Sequence, residues 1–227
     1  MKEQEQTVWM NGEGAWGGRS GPDSNYTKVV EEWRKKFLTW DQEAICRKLH
    51  INTYDENEIL LRYFGVLHRI DRKTGEITCP EKPEYRPGFD ESMAVYNYFY
   101  YSREGAVNSG EWVNFRDVKS AGVFDLAFRN QVLIPFAESF SGHLKEFREA
   151  GEKQGFLPIP YGDAGFQVQA FPGVPMRVVF WDGDEEFPAK ITILYDKNVT
   201  DFIHPENVVM LGSDCMRTFQ RYLTDKE

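Results

Sequence analysis

The spacing of apolar residues divides the chain into a helical part, a short extended part and a strand-rich last third. From Tyr26, YTKVVEEWRKKFLTW places Val29, Val30, Trp33 and Phe37 three and four residues apart, one face of a helix. Thr39 with Gln42 reads as a capping box that opens a second helix through Ala44, Ile45, Lys48 and Leu49. The period then shortens. EILLRYFGVLHRID reads as extended chain folding back on itself, with Gly65 as a bulge, RKTG as a turn and EIT behind it. CPEKPEYRPG, with three prolines, is a connector.

ESMAVYNYFYYS carries five aromatics in the six positions from Tyr96 to Tyr101 and alternates poorly, so it reads as a buried helix with Met93, Tyr96 or Asn97, and Tyr100 on one face. SGEWVNFRD is a turn and a short extended piece. VFDLAFRNQVLIPFAESF sets Phe124, Phe128, Gln131 or Val132, and Phe136 on a helical stripe that Pro135 should kink. HLKEFREAGEKQG is a further amphipathic helix. FQVQAFP, VPMRVVFW and AKITILY then read as strands. In the middle one Met176, Val178 and Phe180 face one way, Val179 and Trp181 the other, which suits a central strand covered by helices. Pro205 opens a last helix through ENVVMLGSDCMRTFQRYL. The expected fold is α+β: a single domain over 26–227, with an antiparallel β-meander packed on several helices and a C-terminal helix. Residues 1–25 read as a flexible glycine-rich arm, in which Trp9 and Trp16 are the residues suited to docking.

Within that arm GEGAWG satisfies G-x-G-x-x-G, but a polar stretch precedes it and no helical pattern follows, so a dinucleotide site is not expected. Charge narrows the partners. With 27 Lys+Arg against 36 Asp+Glu the net charge is −9, which disfavours nucleic acid and anionic membrane surfaces. No apolar run approaches the roughly 20 residues of a membrane span, and MKEQEQTVW lacks the apolar core of a signal peptide, so a cytoplasmic protein is expected. Cys46, Cys79 and Cys215 are odd in number and far apart, against a disulfide framework or an all-cysteine metal cluster. Cys46 sits on a buried stripe, unsuited to a reactive thiol. His50, His68, His143 and His204 show no metal-binding spacing.

Two stretches carry candidate chemistry. WDGDEEFPAKITILYD sets Asp182, Asp184, Glu185 and Glu186 between apolar runs. A hard cation needs several converging oxygens, and paired carboxylates can divide acid and base roles between them. On extended chain only Asp182 with Asp184, or Asp184 with Glu186, can converge. The plainer reading, a wet hairpin tip, is preferred, with Phe187 folding inward as an anchor and Pro188 fixing the entry to the next strand. The aromatic run at 96–101 admits a pocket for a flat cofactor such as haem, flavin or a corrin; packing in the core is the preferred reading.

The succession of NY at 97–98, SGEWVNF at 109–115, YGDAGF at 161–166, WDGDEEFPAKITILYD at 181–196 and a Glu206-led final helix resembles domain-of-unknown-function family 3786, over roughly residues 27 to 223. That family belongs largely to anaerobic bacteria and archaea; some of its members carry an added cysteine-rich iron–sulfur segment or sit among corrinoid-related proteins. This chain lacks those cysteines. By position, Tyr98, Trp112, Asp163, Trp181, Asp184, Glu185, Glu186, Phe187 and Pro188 match its motifs. The resemblance, together with the aromatic excess, implies a ligand- or cofactor-binding accessory protein of anaerobic metabolism. Its small-molecule ligand would meet Tyr98, Trp112, Asp163, Trp181, Asp184, Glu185 and Glu186. No cofactor is identified and no metal site is expected, Asp182, Asp184 and Glu186 being the fallback ligands. The alternatives are a metal-assisted or carboxylate-based hydrolase using Asp182 to Glu186, and a protein-interaction module with an acidic face.

Overall fold

The computed structural model describes residues 25–224, so the proposed arm, with Trp9 and Trp16, lies outside the described residues except for Asn25, which already begins the first helix. Helix α1 (Asn25–Phe37) buries Phe37 and rests Val30 and Trp33 on the core. Helix α2 (Gln42–Lys48) is capped by Asp41, whose Oδ1 accepts the Ala44 amide at 2.9 Å. The expected cap, Thr39, instead donates its hydroxyl back to the Lys36 carbonyl. Asp41 wins because it stands at the extended residue just before the first turn, where a carboxylate reaches the third amide.

A small antiparallel sheet follows in the order β1 (Glu58–Tyr63), β2 (Val66–Asp71) and β3 (Ile77–Thr78). Its hairpin closes through Phe64 and Gly65, both at positive φ (45° and 79°). Gly65 therefore completes a two-residue turn and is not a bulge; two left-handed residues match the twist of the flanking strands. Phe64 is held in this conformation by packing on Tyr63 and by its own amide, which donates to the Ala170 carbonyl of the larger sheet at 3.0 Å.

Helix α3 (Phe89–Tyr101) is buried at every position from Glu91 to Phe99. Tyr100, expected on its buried face, is 44% exposed. Nine consecutive positions already fill the interior, and Tyr100 lies outside it against Trp33 and Trp40. The chain continues through β4 (Trp112–Asn114), α4 (Asp125–Phe128) and α5 (Ile134–Phe140). Between the last two, Arg129–Leu133 widen into a π-type turn. Pro135 has no N–H for the carbonyl four residues back, so the ladder adjusts there.

After α6 (Leu144–Lys153) come β5 (Leu157–Pro158), β6 (Ala164–Phe171), β7 (Val174–Trp181) and β8 (Lys190–Asp196), and α7 (Pro205–Thr224) ends the described chain. The sheet order β4-β8-β7-β6-β5 puts β7 in the centre, and β6, β7 and β8 form an antiparallel meander. Met176, Val178 and Phe180 of β7 point to the helices, where Phe136, Phe140, Phe147, Phe166 and Phe219 meet ring to ring. The fold is a single α+β domain with a C-terminal helix.

Candidate functional site

The motif carboxylates are occupied by backbone. Asp163 Oδ2 accepts the Asp182 amide at 2.8 Å, which joins YGDAGF to WDGDEEFP. Asp182 Oδ1 accepts the amides of Gly142 and Gly183. Asp184 Oδ1 accepts those of Glu186 and Phe187, and these two bonds hold its carboxyl below the usual range. Glu185 and Glu186 are exposed. Phe187, expected to fold inward, is 67% exposed. The tip is closed by Asp184, whose amide also donates to the Phe187 carbonyl, so no inward anchor is needed. Likewise SGEW is tied to the end of β8: buried Asp196 accepts the amides of Ser109, Gly110 and Asn198.

The aromatic candidates separate. Tyr98 is a core residue, stacked on Phe171 with centroids 4.4 Å apart and planes 2° apart, its hydroxyl donating to the Pro172 carbonyl. Trp112 lies on the Arg177 guanidinium at 4.1 Å, with Tyr161 at 5.8 Å from the same group. Trp181 takes Lys190 over its ring at 5.3 Å. Trp181, Asp163 and Asp182 thus share one end of the sheet, while Tyr98 belongs to the interior.

A different set of polar groups converges under the small sheet. Strand β2 turns Val66, His68 and Ile70 inward, so a histidine occupies the middle of an apolar face. Cys79 follows β3 directly, and Glu91 lies in the first turn of α3. All three are buried, and their donor atoms lie within 4.8 Å of one another. His68 Nδ1 donates to the Val66 carbonyl at 3.0 Å, and Nε2 meets Glu91 Oε1 at 2.7 Å. Tyr85, in the proline connector, donates its hydroxyl to Glu91 Oε2 and receives Arg221 of α7 at 2.8 Å. Burial opposes a charge on the imidazole, yet Cys79 and Glu91 outweigh it and raise its pKa to about 9. Burial likewise opposes the Glu91 charge, and the bonds from His68 and Tyr85 more than offset it, so that carboxyl stays low.

Beside the trio runs a second buried network. Asp214 of α7 accepts from Tyr63 and Arg217, and Arg217 also reaches Asp90 at 2.5 Å. Burial, then the neighbouring Asp214 charge, pushes Asp90 up to about 6. On the outer side, Cys79 lines a pocket of about 260 Å³ with Arg69, Thr78, Pro80, Pro83 and Arg86.

His68, Cys79 and Glu91 escaped the sequence because they stand 11 and 12 residues apart on three elements, a spacing that matches no local motif. One signal was present: a histidine in phase with Val66 and Ile70 on the buried side of a strand.

Fold and site together define an α+β protein with a buried histidine–cysteine–carboxylate cluster beneath a three-stranded sheet. The family model described as Domain of unknown function (DUF3786) matches residues 41–218, and the chain belongs to that family. No curated protein and no solved structure matches the chain significantly. No helix among the described residues is long and apolar enough to cross a membrane.

Proposed function

We propose that the protein binds a divalent cation of the zinc class through His68 Nε2, Cys79 Sγ and a Glu91 oxygen. The carrying observation is the convergence of these three donors in a buried place. Imidazole, thiolate and carboxylate together form a donor set of this class. The surroundings fit: a ligating histidine usually donates its other ring N–H to a carbonyl or carboxylate, as Nδ1 does to Val66, and Tyr85 orients the carboxylate. Ligands on one tetrahedral ion stand about 3.3–3.6 Å apart, given bonds of roughly 2.0–2.3 Å. The 2.7 Å contact of His68 with Glu91 must therefore open by about half an ångström, and the proton between them must leave. The test is the metal content of protein purified without chelator, alongside His68→Ala and Cys79→Ser. About one equivalent in wild type, lost in both variants, supports the reading. Metal-free wild type whose melting temperature ignores added Zn²⁺ leaves the trio as a buried ion pair and overturns it.

A second reading places a planar ligand of anaerobic metabolism on the outer face of the larger sheet, using Trp112 and Trp181 with Asp163 at one end. It is favoured by the Arg177 guanidinium held between Trp112 and Tyr161, a surface suited to a flat, anionic molecule. Haem, flavin mononucleotide and cobalamin are the probes for a thermal-shift test. A shift lost in Trp112→Ala supports this reading, and no shift with any of the three sinks it.

A further inference from the structure

We propose that Arg177 takes the acidic group of a small-molecule ligand, a carboxylate or phosphate, edge-on at the middle of the larger sheet's outer face; this rests on the placing of a ligand on that face in the second reading above. Leu157, Gln167, Arg177, Leu194 and Asn114 stand opposite one another across the sheet, one from each of its five strands. None of the five is buried, whereas Met176, Val178 and Phe180 on the other face of β7 lie under the helices. The row is therefore open to a ligand. Leu194 and the largely exposed Leu157 give the carbon body of such a molecule an apolar bed on either side of the arginine.

The guanidinium is held in place but not paired. Trp112 lies 4.1 Å from it and Tyr161 5.8 Å, so aromatic rings take the flat of the group. They leave its in-plane edge of N–H donors, which a carboxylate or phosphate meets with two parallel hydrogen bonds. Among the described residues no carboxylate comes within ion-pair distance of Arg177, and its buried Nε–H has no hydrogen-bond partner. By contrast Arg62, Arg103 and Arg217 each meet a carboxylate at 3.0 Å or less, in a chain whose net charge is −9. Asp196, which β8 turns to the same side as Leu194, spends its oxygens on the amides of Ser109, Gly110 and Asn198. Stacking also pre-orients the fork, so less side-chain entropy is lost when an anion arrives.

The experiment uses the full chain and two pairs of probes that differ only in the acidic group: benzoate against benzamide, and flavin mononucleotide against riboflavin. Calorimetry measures affinity, and the indole N–H resonance of Trp112, assigned with Trp112→Phe, reports the place. The acidic member of at least one pair should bind wild type about tenfold tighter than its neutral partner or better, and the difference should vanish in Arg177→Gln. Arg177→Lys keeps the charge and loses the fork, so it too should bind about tenfold more weakly than wild type. Gln removes a cation that no carboxylate pairs, so both variants should unfold cooperatively near the wild-type temperature. Preference for benzoate alone, for the mononucleotide alone or for both identifies the oxyanion class. Equal binding by Arg177→Lys means attraction by charge alone and overturns the edge-on contact. Haem, flavin mononucleotide or cobalamin bound alike by wild type and Arg177→Gln overturns this inference and leaves the second reading standing. Benzoate held through Arg177 while those three stay inert keeps the contact and removes the cofactor-sized ligand. No binding by any probe sinks both.

Discussion

Tyr63 donates its hydroxyl to Asp214 Oδ2 at 2.5 Å, a bond between the first hairpin and the last helix. Both residues are buried, and Asp214 shares Arg217 with Asp90. Burial raises the Asp214 carboxyl above its ordinary range, against the pull of Arg217 and Tyr63. Tyr63→Phe keeps the ring on Phe171 and removes only the donor. It should cost about 1–3 kcal/mol in urea unfolding, the penalty for leaving a buried acceptor short of a partner. A neutral result would mean that Arg217 alone satisfies the carboxylate.

Phe180 tests the centre of the larger sheet. It is fully buried, opposite Ile191 in the register and 4.9 Å from the Phe147 ring. Phe180→Ala should destabilise the domain by about 3–5 kcal/mol. A loss below about 1 kcal/mol would show that the aromatic nest closes over the gap.

Tyr85 orients the Glu91 carboxylate from the proline connector. Tyr85→Phe should weaken Zn²⁺ binding by about 10- to 100-fold, the usual effect of removing a partner of a ligand. Calorimetric titration against a competing chelator measures it. Unchanged affinity would mean that Glu91 is positioned by the helix alone.

The acidic tip supplies a pH test. Two backbone amides hold the Asp184 carboxyl below its unfolded value, so its stabilisation is complete above that value, near pH 4, and is lost as pH falls through the lower folded value. Asp184→Asn should therefore show a shallower loss of melting temperature between about pH 4 and pH 2 than wild type does. Glu185→Gln, at an exposed position, should follow wild type throughout. Parallel acid limbs for wild type and Asp184→Asn would remove Asp184 from the account of the turn.

Most elements were legible because their signals are local. Helix α3 announces itself through a run of bulk that cannot alternate, and β7 through apolar residues on both faces. Local signals also misled. Thr39 and Gln42 have capping-box spacing, but Asp41 stands nearer the first turn. Phe187 is large and apolar, yet the Asp184 turn leaves it outside. Gly65 was recognisable as a special backbone position, while its role depended on Phe64 sharing the left-handed conformation, which only the neighbouring sheet explains. The His68–Cys79–Glu91 trio lies beyond such reading. Its members become neighbours through strand pairing and helix docking, and neither leaves a mark in their spacing.

That spacing has a kinetic side. The three donors are separated by loops of 11 and 12 residues, whereas Tyr63 and Asp214 close a loop of 151. Closing the long loop costs about 2 kcal/mol more chain entropy than closing one of a dozen residues. The hairpin, β3 and the start of α3 can therefore gather their donors early, on a nascent or refolding chain, before α7 arrives to cover them. A cation captured then would act as a template for the N-terminal half. Pulsed hydrogen exchange during refolding, with and without Zn²⁺, would read that order as early protection of the β1 and β2 amides only when the ion is present.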